Sequence, residues 1–160
     1  MNSEDLGQFI EANGIEAEIV HLPVETLTVA AAATAIGVEP AQIIKSVLFL
    51  ADGEPVLVIA NGLARVAWKR LAVYVGVSRK RLKTAKAEQV LTITGYQAGA
   101  VPPFGHREKL RTIVDKAVYD QSLVYGGGGE INALMRLRTA ELRRVVGGET
   151  AVLTERMIKD

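Results

Sequence analysis

The chain has 160 residues and no cysteine. That one absence excludes disulfides, thiolate metal sites and a cysteine nucleophile. Histidine is scarce as well, with only His21 and His106, and they stand too far apart to form a His-x-x-x-His zinc pair. A zinc site would have to rest on carboxylates, so no metal and no cofactor are expected. A serine triad is poorly supported, because no Gly-x-Ser-x-Gly elbow accompanies either histidine. The apolar runs fall short of a membrane span, and Met1-Asn2-Ser3-Glu4-Asp5 carries acids where a signal peptide would carry lysines. The expectation is a soluble, cytoplasmic, single domain over residues 1–160, long enough to bury about two-thirds of its unfolded surface without staples.

Acid is missing locally too. The formal charge is only +1, yet between Arg65 and Lys86 there is no Asp or Glu. The same stretch holds Arg65, Lys69, Arg70, Arg79, Lys80, Arg81, Lys83 and Lys86. A one-signed segment on a near-neutral domain suits a polyanion, since each neutralised phosphate releases counterions. A solvated face whose acids come from spatial neighbours would look the same.

Ser3 caps a first helix carrying Leu6, Phe9 and Ile10, ended by Gly14. Glu16 to His21 is a short strand closed by Pro23. A second helix runs from Thr28 through Ile36 to Gly37, and Pro40 opens one further turn. Ile43 to Leu50, the Asp52-Gly53 turn and Val56 to Ala60 form a buried hairpin. Leu63 to Val75 reads as a helix ended by Gly76, with Trp68 as a core residue, and Ala87 to Thr92 as another. Leu110 to Val114, Ser122 to Tyr125 and Ile131 to Leu137 read as strands, with Gly126 to Gly129 as a tight turn that a ligand can approach. No Lys-Ser or Lys-Thr comes after those glycines, so they do not make a P-loop. Thr139 caps a helix bearing Leu142, Val145 and Val146, and Thr150 to Leu153 is a last strand. This mixed order, with hairpins in the middle, argues for α+β and against a doubly wound parallel sheet.

Two features call for chemistry. Lys45 shares a strand face with Val47 and Phe49, so its ammonium must be neutralised, paired or aimed into a cavity. Gly95 to His106 is a shaped loop, with Gly99 free of a Cβ and Pro102-Pro103 stiffening its second half. Such a loop can present backbone N–H groups to an oxyanion or phosphate, although a rigid connector would have the same composition. For His106, structural or surface duty outranks catalysis, because nothing in the spacing supplies a partner. A backbone oxyanion site beside a lysine can still hydrolyse an activated ester without a strong base.

The chain resembles the YbaK-type aminoacyl-tRNA deacylases, relatives of the editing domain inserted in bacterial prolyl-tRNA synthetase. The resemblance spans about Ile15 to Leu153. It is carried by Ile44-Lys45-Ser46-Val47-Leu48, by Gly95-Tyr96 with Gly99-Ala100-Val101-Pro102-Pro103-Phe104-Gly105-His106, and by Tyr125 with the glycines after it. It implies a mixed, mostly antiparallel, barrel-like sheet with surrounding helices, metal-free hydrolysis of mischarged tRNA, Lys45 as the essential lysine and Gly99 as the amide that meets the ester carbonyl. Tyr96, Ala100 to His106, Gly127 and Gly128 are then candidates to bind substrate. The tRNA acceptor end becomes the expected partner, with an aminoacyl-tRNA synthetase as a further one, and Arg65 to Lys83 becomes a candidate seat for tRNA. A non-catalytic adaptor holding tRNA or a synthetase is the alternative. One departure bears on the pocket: where bacterial relatives carry an acid after the glycines, this chain has Leu134, with Asn132 and Arg136 nearby.

Overall fold

The Asn2 side chain begins the fold by accepting hydrogen bonds from the backbone N–H groups of Glu4 and Asp5, which caps helix α1 (Ser3–Ala12). Asp5 closes the capping box on Asn2. Ser3 does not cap. Its hydroxyl donates instead to Glu130 at 2.6 Å, tying α1 to the loop after the glycine run. The structure, a computed structural model, describes residues 1–23 and 28–155.

Strand β1 (Ala17–His21) and helix α2 (Val29–Ile36) come next in the chain. Thr28 Oγ1 accepts from Ala31 N, and Gly37 ends the helix at φ 70°. Strands β2 (Ile44–Ala51) and β3 (Glu54–Asn61) then pair antiparallel along their whole length, turning at Asp52 and Gly53, both with positive φ. This hairpin is the centre of a five-stranded sheet. Strand β5 (Leu82–Thr84) flanks β2 antiparallel, while β6 (Arg111–Asp115) pairs parallel with β3 and β9 (Thr150–Ala151) parallel with β6. A second sheet, antiparallel throughout, runs in the order β1, β8 (Ala133–Arg138), β7 (Leu123–Gly127). Short strands β4 (Arg65–Val66) and β10 (Thr154–Glu155) pair with each other.

The fold is therefore α+β with mixed, mostly antiparallel sheets, as expected, but the barrel does not close. Among the described residues the two larger sheets meet at one parallel bridge, Ile43 to Tyr125. Beyond it β2 and β7 share no ladder pairing among the described residues, which leaves a seam. One face of the main sheet packs Leu48, Leu57 and Ile59 against α1 and the second sheet, and the other packs Phe49, Val56 and Val58 under helix α3 (Trp68–Val75). Helices α4 (Ala87–Thr94) and α5 (Thr139–Val146) complete the periphery.

Tertiary contacts override three local expectations. Residues 63–67 do not join α3, because Val66 pairs with Thr154 and the Ala67 N–H donates to the Leu153 carbonyl. Thr139 is the first residue of α5 and not its cap, since its hydroxyl is committed to the Gln121 carbonyl at 2.7 Å. The final strand is broken between β9 and β10 because the Asp115 carboxylate captures the N–H groups of Leu153 and Thr154.

Asp115 is 1% exposed and also accepts from Ala117 N. Replacing it by Ala would leave buried donors without partners. Asp115→Ala is expected to cost roughly 3 kcal/mol of stability in a urea titration. Loss of less than about 0.5 kcal/mol would mean water satisfies these groups equally well.

Candidate functional site

Strand alternation directs Lys45 to the face of Val47 and Phe49, and its Nζ donates to the Ala64 carbonyl, 2.6 Å away in the link between β3 and β4. The side chain is half-buried. Burial first, and the charge of Arg65 second, push its pKa below the ordinary lysine value. Among the described residues neither Lys45 nor Arg65 forms an ion pair. Two neighbouring cations that form no ion pair with a carboxylate leave a place open to an anion.

The glycine-proline loop is rigid, and its own side chains make it so. Gln97 to Ala100 is a β-turn closed by Ala100 N to the Gln97 carbonyl at 3.0 Å, with Gly99 at φ 89° in its third position, as a type II turn requires. Tyr96 is fully buried and donates to the Gly105 carbonyl. The Ala100 carbonyl accepts from Gly129 N, and His106 Nε2 donates to the Pro102 carbonyl at 2.7 Å. Burial lowers the pKa of His106, opposed by that bond. The Gly99 N–H, exposed at the loop tip, makes no hydrogen bond among the described residues. It is a fixed donor still to be used.

The loop lies across the seam between β2 and β7. A cavity of about 190 Å³ opens there, bordered by Lys45, Ser46, Gly99, Val101, Gly127 and Leu134, with the start of α2 (Val29, Ala32) as its other wall. Gly127 is what lets the loop approach. A Cβ on it would sit 2.2 Å from the Val101 carbonyl oxygen, which is backbone and has nowhere to go. Gly127→Ala is therefore expected to displace the loop and cost stability, and to cut the ester hydrolysis that the resemblance implies at least roughly tenfold, a pairing that activity and thermal melts read together. Unaltered kinetics would show that the loop position is irrelevant.

Four of the residues singled out from the sequence thus share one cavity: Lys45, Gly99, Val101 and Gly127. Tyr96, Ala100 and Pro102 are buried behind the loop. Pro103, Phe104, Gly105 and His106 border a separate hollow of about 400 Å³ against α1 and α5, with Phe104 packed on Phe9. Gly126 and Gly127 belong to β7, and Gly128 N is bonded to Ala133 O, so the first half of the glycine run is strand and only Gly128 and Gly129 lie in the connection. The lining from α2 and Ile43 has no sequence signal, because nothing local in an alanine-rich helix says that it covers a seam. Leu134, noted for its missing acid, is on the wall.

The basic residues Arg65, Lys69, Arg70, Arg79, Lys80, Arg81 and Lys83 are all exposed. Of these, Arg81 pairs with Asp52, Arg70 reaches the Thr154 carbonyl, and Arg79 lies 4.1 Å over the Trp68 ring. Among the described residues only Arg81 of the seven forms an ion pair. The acids that would neutralise an ordinary surface are not supplied.

The sequence pattern of the aminoacyl-tRNA editing domain matches residues 24–145. The chain belongs to that family. A crystal structure of a candidate trans-editing enzyme for prolyl tRNA synthetase superposes with a TM-score of 0.89 at 31% identity, covering 96% of each chain. Prolyl-tRNA ligase of Streptococcus equi subsp. zooepidemicus is 29% identical over 119 residues, 69% of this chain and 19% of the ligase. This editing domain thus spans about a fifth of the ligase's length. The uncharacterized protein YwhH of Bacillus subtilis is 29% identical over 128 residues, covering 79% of this chain and 80% of YwhH. Among the described residues of this editing domain, no helix is long and apolar enough to cross a membrane.

Proposed function

We propose that this editing domain hydrolyses the ester of mischarged aminoacyl-tRNA, acting in trans on a small amino acid carried by tRNA-Pro or a similar tRNA. The observation that carries the reading is that Lys45 and Gly99, whose N–H is unspent, border one cavity. The prolyl-tRNA ligase relatives and the match of comparable length to a trans-editing candidate support it. A small side chain fits because the walls are aliphatic, from Val29, Ala32, Ile43, Ile44, Val101 and Leu134, within about 190 Å³.

Water adds to the ester carbonyl, and the negative charge that develops on oxygen is met by the Gly99 N–H. The C–O bond to the ribose then breaks, and the ribose oxygen takes up the proton the water gives, leaving free amino acid and uncharged tRNA. Among the described residues no carboxylate or imidazole lines the cavity. Charge stabilisation and positioning, and not a side-chain base, therefore carry the rate. Lys45 supplies the positive charge at the mouth, where a terminal phosphate or the carbonyl itself comes to lie.

The test is to offer the protein alanyl-, seryl-, cysteinyl- and prolyl-tRNA and measure release of the amino acid. Release of a small amino acid supports the reading. Salt-sensitive tRNA binding with no release from any of them would favour an adaptor instead.

A further inference from the structure

Lys45 lies between two hollows, and its Nζ, held by the Ala64 carbonyl, is on the side of the second. One is the acyl cavity; the other is an open trough of about 510 Å³ lined by Val47, Phe49, Arg65, Trp68 and Thr84. Gly99 borders the first and not the second. Resting on the deacylase reading, we infer that this trough holds the nucleoside that carries the ester, its base adding to the stack of Arg79 on Trp68.

Three observations carry the assignment. First is continuity: an acyl group held at Gly99 leaves its ribose at Lys45, and the trough is the hollow that begins there. Second is charge. Lys45 and Arg65 stand together with no acid among the trough residues, and Glu155, the cross-strand neighbour of Arg65, forms no ion pair with it. Bringing a phosphate there removes a like-charge penalty that the protein otherwise bears.

Third is the platform itself. Trp68 packs against the core cluster of Phe49, Leu71 and Leu82, as expected from sequence, but is not closed into it. Its ring is partly buried, held edge-on by Phe49 with centroids 5.3 Å apart and covered on a face by the Arg79 guanidinium. Flat heterocycles stack on aromatic rings and on guanidinium planes alike, which is how single-stranded RNA ends are commonly held. Leu63, 50% exposed at the trough's edge, extends the apolar surface a ribose and base would cover.

Trp68 is the only tryptophan, so its fluorescence reports on this trough alone. The probe is a CCA trinucleotide whose terminal nucleoside bears an amide-linked alanine, which binds without being cleaved. The expected result is saturable quenching of Trp68, with a matched trinucleotide lacking the terminal base binding at least about tenfold more weakly. Trp68→Leu, read by fluorescence polarisation of a labelled probe, should weaken binding by a similar factor, and Arg79→Gln by less. Emission unchanged at saturation, or equal affinity for the probe without its base, overturns the assignment, and neither result depends on how Trp68→Leu folds. The outcomes separate from those of the deacylase reading. Quenching without hydrolysis of any ester leaves the trough standing and removes the enzyme, whereas hydrolysis with a silent tryptophan does the reverse.

Discussion

Lys45→Met is expected to lower kcat/KM for the preferred mischarged tRNA by roughly a hundredfold or more, the worth of one charged contact made to a developing or fixed anion. Methionine keeps the unbranched stem that packs beside Val47 and Phe49, so the loss reads the charge and not the packing. The same variant should not melt at a lower temperature than the parent. Burial and Arg65 both hold the Lys45 pKa below its unfolded value, so the ammonium is less comfortable folded than unfolded. The unfolded chain then binds the proton more readily, and stability rises with pH between the folded and unfolded pKa values of this lysine. A neutral residue removes that penalty at all pH values below the window. Activity that needs the ammonium falls as pH climbs through the same lowered pKa. Full activity in Lys45→Met, or activity lost only in step with unfolding, would remove the lysine from the mechanism.

Gly99→Val should abolish measurable turnover, by roughly two to three orders of magnitude, with the fold largely kept. A Cβ at Gly99 would meet nothing within 4 Å, so the substitution forces no clash inside the protein. On the deacylase reading, an ester carbonyl approaching Gly99 would pass beside that open space. Two effects then add: the side chain occupies the approach, and a β-branched residue at φ 89° strains the turn by about 1–3 kcal/mol, shifting the donor. Gly99→Ala should be intermediate in rate. The measurement is single-turnover deacylation beside circular dichroism. If Gly99→Val turns over like the parent while remaining folded, the loop is a connector and the donor lies elsewhere.

Much of the fold is readable from residue order because it depends on neighbours in the chain. The Asp52-Gly53 turn dictates the β2–β3 hairpin, alternation fixes which face Lys45 takes, and Thr28 with Gly37 brackets α2. These are local dihedral and periodicity effects. The resemblance carried by Lys45, Gly99 and the glycine run points to the family that the editing-domain pattern matches. Residues 63–67 fail as a helix for the opposite reason. Their apolar spacing suits a helix, but the Leu153 carbonyl and Thr154, distant in sequence, bid for the same backbone groups and win.

By itself, then, the amino-acid sequence determined the α+β class, the hairpin, the bracketing of α2 by Thr28 and Gly37 and the two segments on which chemistry would be sought, since each rests on propensity and pattern within a few residues. Only the tertiary structure decided that the sheets stop short of closing, that the seam between β2 and β7 becomes the cavity, and that Gly127 stands bare so that Val101 can lie against it. It alone brought Lys45 between that cavity and the trough at Trp68. Those outcomes depend on which strand edges remain unpaired after packing, a competition among contacts far apart in the chain that no local pattern encodes.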